Sequence, residues 1–175
     1  DGSIDVNLVK DTALFNNPVK NRNYIELNEK KFNSADFNVG FTIEYWFKKS
    51  DDNDPIGWIF YNGGEGFNNG MRNGFSILQK NHNEIRFELA NANTREKTML
   101  DTPMPETDDW THMAHVWNSI CSEASTYVDG KLAGKSKFSG PIPPESKYVS
   151  LGRQREWKNW RPGYWAGGLA ELRIW

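Results

Sequence analysis

A polar and aromatic segment near the end of the chain, residues 153–165, carries the side chains best suited to binding a ligand. It contains three Trp, one Tyr, three Arg, one Asn and one Gln. Aromatic rings can stack on the C–H faces of sugars, and the guanidinium fork of Arg fits a carboxylate. The predicted ligand-binding residues here are a stacking platform of Trp157, Trp160 and Tyr164, with polar partners Arg153, Gln154, Arg155, Asn159 and Arg161.

A second interpretation of this segment has it fold over the edge of the domain, with its Trp rings filling the core. Trp is mostly buried in folded proteins, so both interpretations stay open for Trp157 and Trp160. Trp165 adjoins the last predicted strand and is assigned to the core. Most of the five Trp within predicted strands are also assigned to the core, although Trp46 is on the mixed face of its strand and could line a groove; the five are Trp46, Trp58, Trp110, Trp117 and Trp175.

Two further loops offer polar groups. The Gly-rich stretch 63–70 includes Glu65 and Asn69 as candidate ligand-binding residues, because its backbone can approach a ligand closely; an ordinary hairpin connection explains it equally well. Asp51, Asp52 and Asp54 could supply oxygen ligands to calcium, but acidic turns are mostly just turns. The sequence therefore establishes no cofactor and leaves calcium as the alternative.

The residues that could perform catalysis are poorly arranged for it. Glu84 and Glu88 share one face of a predicted strand with Arg86, which is typical of a solvated surface with paired charges. His112 and His115 differ by an odd number of positions, so a strand sends them to opposite faces and they cannot easily share a metal. A nucleophile elbow and a phosphate-binding loop are absent from the sequence, and the single Cys121 can form neither a disulfide within the chain nor a zinc cluster. The sequence does not support an enzyme.

The elements that would position these residues are short strands rich in aromatic and β-branched residues, separated by Gly, Asn, Asp and Pro. In Phe41–Lys49, apolar residues alternate with a mixed set, as in a strand that covers a core. Asp129-Gly130 predicts a type I′ hairpin turn. The predicted strands are 13–15, 24–27, 41–49, 57–61, 74–79, 84–90, 98–100, 110–118, 122–128, 131–136, 148–151 and 168–175. This pattern predicts an all-β sandwich or barrel.

The length and the net charge of the chain limit the classes of function that it can have. The 175 residues predict one domain covering 1–175, and the strand-like final run leads us to expect a domain cut from a larger protein. A net charge of −2 gives no field to hold a polyanion, which argues against nucleic acid as a partner. No run reaches 18 apolar residues, so membrane insertion is not expected.

Several pieces in order along the chain resemble the concanavalin A-like, laminin G-like family, which includes pentraxin-like and bacterial lectin domains. The pieces are Asn23–Leu27, Phe41–Lys48, Trp58–Phe60, Asp109–Ala114, Tyr127–Gly134, Leu151–Arg153 and Gly168–Trp175. The resemblance implies a jelly roll of two antiparallel sheets with ligand sites at the rim. It also implies a core position for His112, which falls where the family often has a structural His. Ala170 stands where family members often carry an Asp; if that Asp helps to hold a structural calcium in relatives, this site is missing or rebuilt here.

The resemblance and the aromatic segment together favour a lectin-like, carbohydrate-binding module of a secreted or cell-surface protein that targets its parent to glycans. One fold supports many functions, so two alternatives stay open. The first is a protein-interaction, adhesion or structural domain without sugar binding. The second, less favoured, is a glycoside hydrolase relative.

Overall fold

The computed structural model describes residues 13–15, 24–27, 37–50, 56–63, 73–142, 148–154 and 163–175. These ranges contain a short 3₁₀ helix, Phe37–Val39, and twelve strands. The strands are β1 Ala13–Phe15, β2 Ile25–Glu26, β3 Phe41–Lys49, β4 Gly57–Gly63, β5 Gly74–Asn81, β6 Glu84–Asn91, β7 Glu96–Pro103, β8 Thr111–Asn118, β9 Glu123–Val128, β10 Lys131–Lys137, β11 Tyr148–Leu151 and β12 Gly167–Ile174. Among the described residues, no helix is long and apolar enough to cross a membrane.

The strands form two six-stranded sheets in which every pair is antiparallel. Sheet A has the order β1-β12-β3-β8-β9-β10, and sheet B has the order β2-β11-β4-β5-β6-β7. The predicted all-β, two-sheet antiparallel jelly roll is confirmed. Each predicted strand is present, with ends that differ from the prediction by at most a few residues.

The core lies between the two sheets and is built by residue alternation. In β3, Phe41, Ile43, Tyr45 and Phe47 are buried, and the residues between them face outward. In β6, Ile85, Phe87 and Leu89 are fully buried, which leaves Glu84, Arg86 and Glu88 on the other face, as predicted. A period of two places one face of each strand in the core. The outward residues of both sheets are therefore the places where a ligand could meet the fold.

The β9–β10 hairpin turn and a contact between the edge strands β7 and β10 shape one side of the sandwich. Asp129 and Gly130 both have positive φ, 47° and 73°, as the predicted type I′ turn between β9 and β10 requires. Strands β7 and β10 are the neighbouring edges of the two sheets, and Thr98 Oγ1 lies 2.7 Å from Ser136 Oγ across them. A Cβ on Gly134 would lie 3.1 Å from both Leu100 and Thr102, so a small residue there allows this close approach.

Two predictions about buried side chains are wrong. Of the five Trp within or beside the strands, only Trp58 and Trp117 are buried, whereas Trp46, Trp110 and Trp175 are exposed. His112 is partly exposed on the outer face of sheet A, and it is His115 that lies in the core. The two histidines do point to opposite faces, as predicted, but alternation alone does not say which face is inside.

Candidate ligand-binding site

Tyr61, Ser76 and Glu88 form a row across the outer face of sheet B. Tyr61 of β4 is opposite Ser76 of β5, and Ser76 is opposite Glu88 of β6. Directly opposed residues in an antiparallel pair point to the same side of the sheet. The Ser76 hydroxyl donates a hydrogen bond of 3.1 Å to Glu88 Oε2. The row therefore brings a ring, a hydroxyl and a carboxylate side by side; Tyr61 and Ser76 are buried, and Glu88 is partly exposed.

The next row of the same face has almost no side chains. Gly63 is opposite Gly74, and Gly74 is opposite Ala90. These small residues form the floor of a shallow, open depression of about 250 Å³ bordered by the Tyr61–Ser76–Glu88 row. A Cβ at Gly63 would lie 2.6 Å from Tyr61 Cζ, so the phenol ring rests over this glycine. Much of this volume is open to solvent, so the depression is a shallow surface feature and not an enclosed pocket.

A ladder of charged side chains continues from this depression along the outer face. Arg86 holds Asp101 with two hydrogen bonds, Nε to Oδ1 at 2.6 Å and Nη2 to Oδ2 at 2.9 Å. Lys80 also contacts Asp101, at 2.7 Å, and Glu84, at 3.1 Å. The remaining members are Glu88 and Lys97, 3.6 Å apart. The ladder has three cations and three anions, so its net charge is zero.

These contacts shift the ionisation of the ladder. The Arg86 guanidinium lowers the pKa of Asp101 to about 2. Hydrogen bonds to Asp101 and Glu84 raise the pKa of Lys80, and the bond from Lys80 lowers that of Glu84. Each shift favours the charged form because each partner has the opposite charge. The predicted solvated face with paired charges is confirmed.

An aromatic cluster lies on the same face, next to the depression. Trp58, Tyr61 and Leu78 are buried there, and Tyr148 packs against them. Trp58 is opposite Leu78, so both point outward from sheet B. A Cβ at Gly163 would lie 2.7 Å from Cζ3 of the Trp58 ring, so the chain at residue 163 covers this ring.

The two ends of the predicted aromatic segment meet at this cluster. Tyr164 forms a parallel β-bridge with Trp58 and an antiparallel β-bridge with Arg153. Arg153 and Tyr164 therefore lie side by side, next to Trp58. These described ends of the predicted segment adjoin the aromatic cluster beside the depression.

The described residues of this segment have structural roles. Arg153 donates to Glu26 Oε1 at 2.7 Å, and its guanidinium lies 3.2 Å from the centre of the Tyr24 ring, so it ties the start of the chain to β11. Gln154 is partly buried. Tyr164 is buried, so its ring offers little area for the predicted stacking platform. Trp165 is fully buried, which confirms its assignment to the core.

The other predicted ligand-binding residues lie outside the described residues and stay predictions: Arg155, Trp157, Asn159, Trp160, Arg161, Glu65 and Asn69. The acidic turn that could hold calcium, with Asp51, Asp52 and Asp54, lies outside them too. Among the residues that the structure does describe, no group of three or more His, Cys, Asp or Glu side chains could hold a metal ion.

Sequence reasoning missed Tyr61, Ser76 and Ala90 as parts of a site. Strand β4 is buried along its whole length, so alternation gives no sign that Tyr61 faces outward. Two glycines opposite each other, Gly63 and Gly74, mark the depression, but their pairing depends on the register of β4 and β5. Only the polar Ser76 and Glu88, each between apolar residues of its strand, could have suggested this row.

With this fold and site, the family of the chain can be stated. Residues 19–175 match the model of the concanavalin A-like lectin/glucanases superfamily of laminin G type, and the chain belongs to this family. The predicted family is therefore confirmed. No curated protein sequence matches the chain.

Solved structures share the fold at low sequence identity. A mutant NanB sialidase from Streptococcus pneumoniae is 17% identical with a TM-score of 0.71, over 94% of this chain and 25% of its own. The CBM40 module of the Ruminococcus gnavus IT-sialidase, bound to α2,3 sialyllactose, is 19% identical with a TM-score of 0.62, over 78% of this chain and 76% of its own. An SAP-like pentraxin from Limulus polyphemus is 21% identical with a TM-score of 0.54, over 78% and 64%. The chain spans about a quarter of the sialidase.

Proposed function

We propose that this domain is a non-catalytic carbohydrate-binding module whose ligand binds on the outer face of sheet B, in the depression beside Tyr61, Ser76 and Glu88. The observation that carries the proposal is the depression itself, which has polar groups on its border and an aromatic cluster next to it. Sugar-binding surfaces combine apolar contact with a few fixed polar groups. The partly exposed Glu88 carboxylate would accept hydrogen bonds from ligand hydroxyls, and the buried Ser76 hydroxyl would hold this carboxylate in place.

The aromatic segment would complete this site. Arg153 and Tyr164, which precede and follow residues 155–162 in the chain, pair next to Trp58. Trp157 and Trp160 would supply the stacking surface that the buried Tyr164 does not offer. Glu65 and Asn69 belong to the connection between β4 and β5, the two strands that contribute Gly63 and Gly74 to the floor, and would border the depression at that end.

Structural neighbours support carbohydrate as the class of ligand. The Ruminococcus gnavus modules were solved with α2,3 and α2,6 sialyllactose. In this chain every cation of the charged ladder already faces a carboxylate, so a ligand carboxylate would have to be bound by Arg155 or Arg161. An uncharged, hydroxyl-rich sugar needs no cation for its binding. The paired charges of the ladder therefore favour an uncharged sugar.

The ionisation of the ladder argues against glycoside hydrolysis. A glycosidase needs one carboxyl group that stays protonated to serve as the general acid, which requires a raised pKa. Here the pKa values of Glu84 and Asp101 are lowered by Lys80 and Arg86. Glu88 accepts a hydrogen bond from Ser76 and lies 3.8 Å from Arg86 and 3.6 Å from Lys97. We therefore propose that any catalysis belongs to other parts of a secreted or cell-surface parent protein.

A glycan array tests the proposal. The isolated domain would be compared with Ala90→Leu, which fills the floor of the depression, with Trp157→Ala/Trp160→Ala, and with Leu132→Ala as a control. Leu132 is an exposed apolar residue of β10 in the other sheet. We expect the wild type and Leu132→Ala to bind the same glycans, and both site variants to lose that binding.

The array should include neutral glycans and both sialyllactoses, with and without calcium. Binding that survives in Ala90→Leu would move the site away from the depression. A folded wild type that binds no glycan on the array would overturn the proposal and favour the protein-interaction alternative, for which an affinity search for protein partners is the next step.

A further inference from the structure

The outer face of sheet A carries three exposed Trp residues in a line along β3 and β12. Trp46 is opposite Ala170, and the backbone of Trp175 exchanges two hydrogen bonds with that of Thr42. Trp110 precedes β8, and its ring reaches Gly168, where a Cβ would lie 2.6 Å from Cη2. Gly168 is opposite Lys48, so the line extends from the level of Lys48 to that of Thr42. Residues 42–48 of β3 are separated by six steps, which span about 20 Å at roughly 3.4 Å per residue. We name this surface, with Trp110, Trp46, Glu44 and Trp175, the tryptophan stripe.

Polar contacts hold the rings of the stripe in place. Trp46 packs edge-on against His112, with ring centroids 5.3 Å apart. The Trp175 indole N–H donates to Glu44 Oε1 at 3.1 Å, and Arg173 Nη1 lies 3.4 Å from the same oxygen. His112 Nε2 lies 3.7 Å from Glu44 Oε2. Glu44 thus fixes the residues on either side of it, and a surface ordered before binding loses less entropy when a ligand arrives.

The size of the exposed area favours a small or thin ligand over a protein. Trp46, Trp110 and Trp175 are 38%, 37% and 63% exposed. At up to about 250 Å² for a Trp side chain, they offer about 350 Å² of ring surface. A stable protein interface needs about 800 Å² from each partner, whereas a patch of about 300–600 Å² is often functional on a monomer. The stripe is long enough for several sugar rings, and its exposed ring area lies within the range of functional patches.

The charges along the stripe favour an uncharged ligand. Lys48 and Arg173 are positively charged, and Glu44 and Glu171 are negatively charged, so the net charge of these four side chains is zero. Arg173 contacts both carboxylates, at 3.4 Å to Glu44 and 3.0 Å to Glu171. Gly168 and Ala170 have little or no side chain, so the sheet surface between the Trp rings does not protrude. A neutral chain with apolar faces and many hydroxyls matches this arrangement.

We infer that the tryptophan stripe is a second carbohydrate site, which binds a linear neutral polysaccharide lengthwise along β3 and β12. The indoles of Trp110, Trp46 and Trp175 stack on successive sugar faces. Glu44 and Arg173, between Trp46 and Trp175, hydrogen-bond to hydroxyl groups. This site is separate from the depression on sheet B, because the two sheets face away from each other, and it does not depend on the proposed function there.

Affinity electrophoresis in native gels tests the stripe. The probes are soluble neutral polysaccharides, namely hydroxyethyl cellulose, galactomannan and dextran, with hyaluronan as an anionic comparison. The chain would be run as wild type, as Trp46→Ala/Trp175→Ala, as Trp46→Phe, as Ala90→Leu and as Leu132→Ala. Leu132 is a matched control, because it is an exposed apolar residue of the same sheet on the distant strand β10. Circular dichroism and thermal unfolding verify that each variant is folded.

We expect at least one neutral polymer to retard the wild type, and the double Trp variant to bind it about tenfold or more weakly, given the typical contribution of two aromatic contacts. Trp46→Phe keeps a ring and should retain most of the binding, and Leu132→Ala should leave retardation by that polymer unchanged. Unchanged binding by the double variant would overturn the inference, as would a folded wild type that no neutral polymer retards or that only hyaluronan retards. Loss of this binding in Ala90→Leu alone would assign it to the depression and also overturn the second site.

Discussion

His115 is a polar side chain in the core of the sandwich, where hydrogen bonds satisfy both of its ring nitrogens. The ring is completely buried, with Nε2 3.0 Å from Tyr45 Oη and Nδ1 3.0 Å from Thr126 Oγ1. Burial lowers the pKa of His115 to about 3 and raises the pKa of Tyr45. Both groups are therefore neutral at physiological pH, and the two hydrogen bonds satisfy polar atoms that would otherwise be costly to bury.

His115 makes the stability of the protein depend on pH. The folded-state pKa is depressed from the ordinary value of 6.5, so between pH 6.5 and about 3 the unfolded chain binds a proton that the native chain does not. The free energy of unfolding should fall as pH decreases through this window, by up to about 1.4 kcal/mol per pH unit. Urea unfolding between pH 7 and pH 5 measures this slope. The His115→Gln variant retains hydrogen-bonding groups without a titrating ring, and an equal slope in that variant would exclude His115 as its cause.

The pairing of β4 with β5 places Gly63 opposite Gly74 and so forms the floor of the depression on sheet B. Gly74 has a φ of +121°, and a Cβ there would overlap the carbonyl oxygen of Asn62. Gly63, directly opposite, has only the movable ring of Tyr61 above it. One glycine is thus required by the backbone, and the other makes room for a side chain of the site.

The two glycines should respond differently to the same substitution. Gly74→Ala forces a strained backbone conformation and a clash with backbone atoms, so we expect a loss of at least about 2 kcal/mol of unfolding free energy. Gly63→Ala should cost less than about 1 kcal/mol, because the Tyr61 ring can turn away, but it should weaken glycan binding. Chemical denaturation and the glycan array measure both effects. Equal destabilisation by the two substitutions would mean that Tyr61 cannot move.

Sequence patterns predicted the strands well, since alternation in β3 and β6 and the Asp129-Gly130 turn depend on neighbouring residues. The site required information that no single strand contains. Tyr61, Ser76 and Glu88 meet only through the register of three strands, and β4 shows no alternation. The core assignment of Trp110 and Trp175 was wrong, whereas Trp46 is exposed as its position on the mixed face allowed, because an outer sheet face can also carry large rings, here over the small residues Gly168 and Ala170.

At the scale of the whole molecule, the two proposed surfaces lie on opposite sides of the sandwich. The depression is on the outer face of sheet B, and the tryptophan stripe is on the outer face of sheet A. Packed sheets are about 10 Å apart, and outward side chains add further separation. A stiff polysaccharide chain that follows one face cannot reach the other face of the same copy, so two occupied sites would engage two chains.

The protein should therefore cross-link a polymer that both faces recognise. Multivalent engagement of this kind requires that both sites bind at the same time. Mixing the wild type with such a soluble polysaccharide should raise its viscosity or cause turbidity, with a maximum at an intermediate ratio of protein to polymer. Ala90→Leu and Trp46→Ala/Trp175→Ala should each abolish cross-linking while retaining binding through the remaining face, and Leu132→Ala should behave as the wild type. If either variant alone eliminates all binding, a single site explains the protein, and the variant that retains no affinity identifies the face.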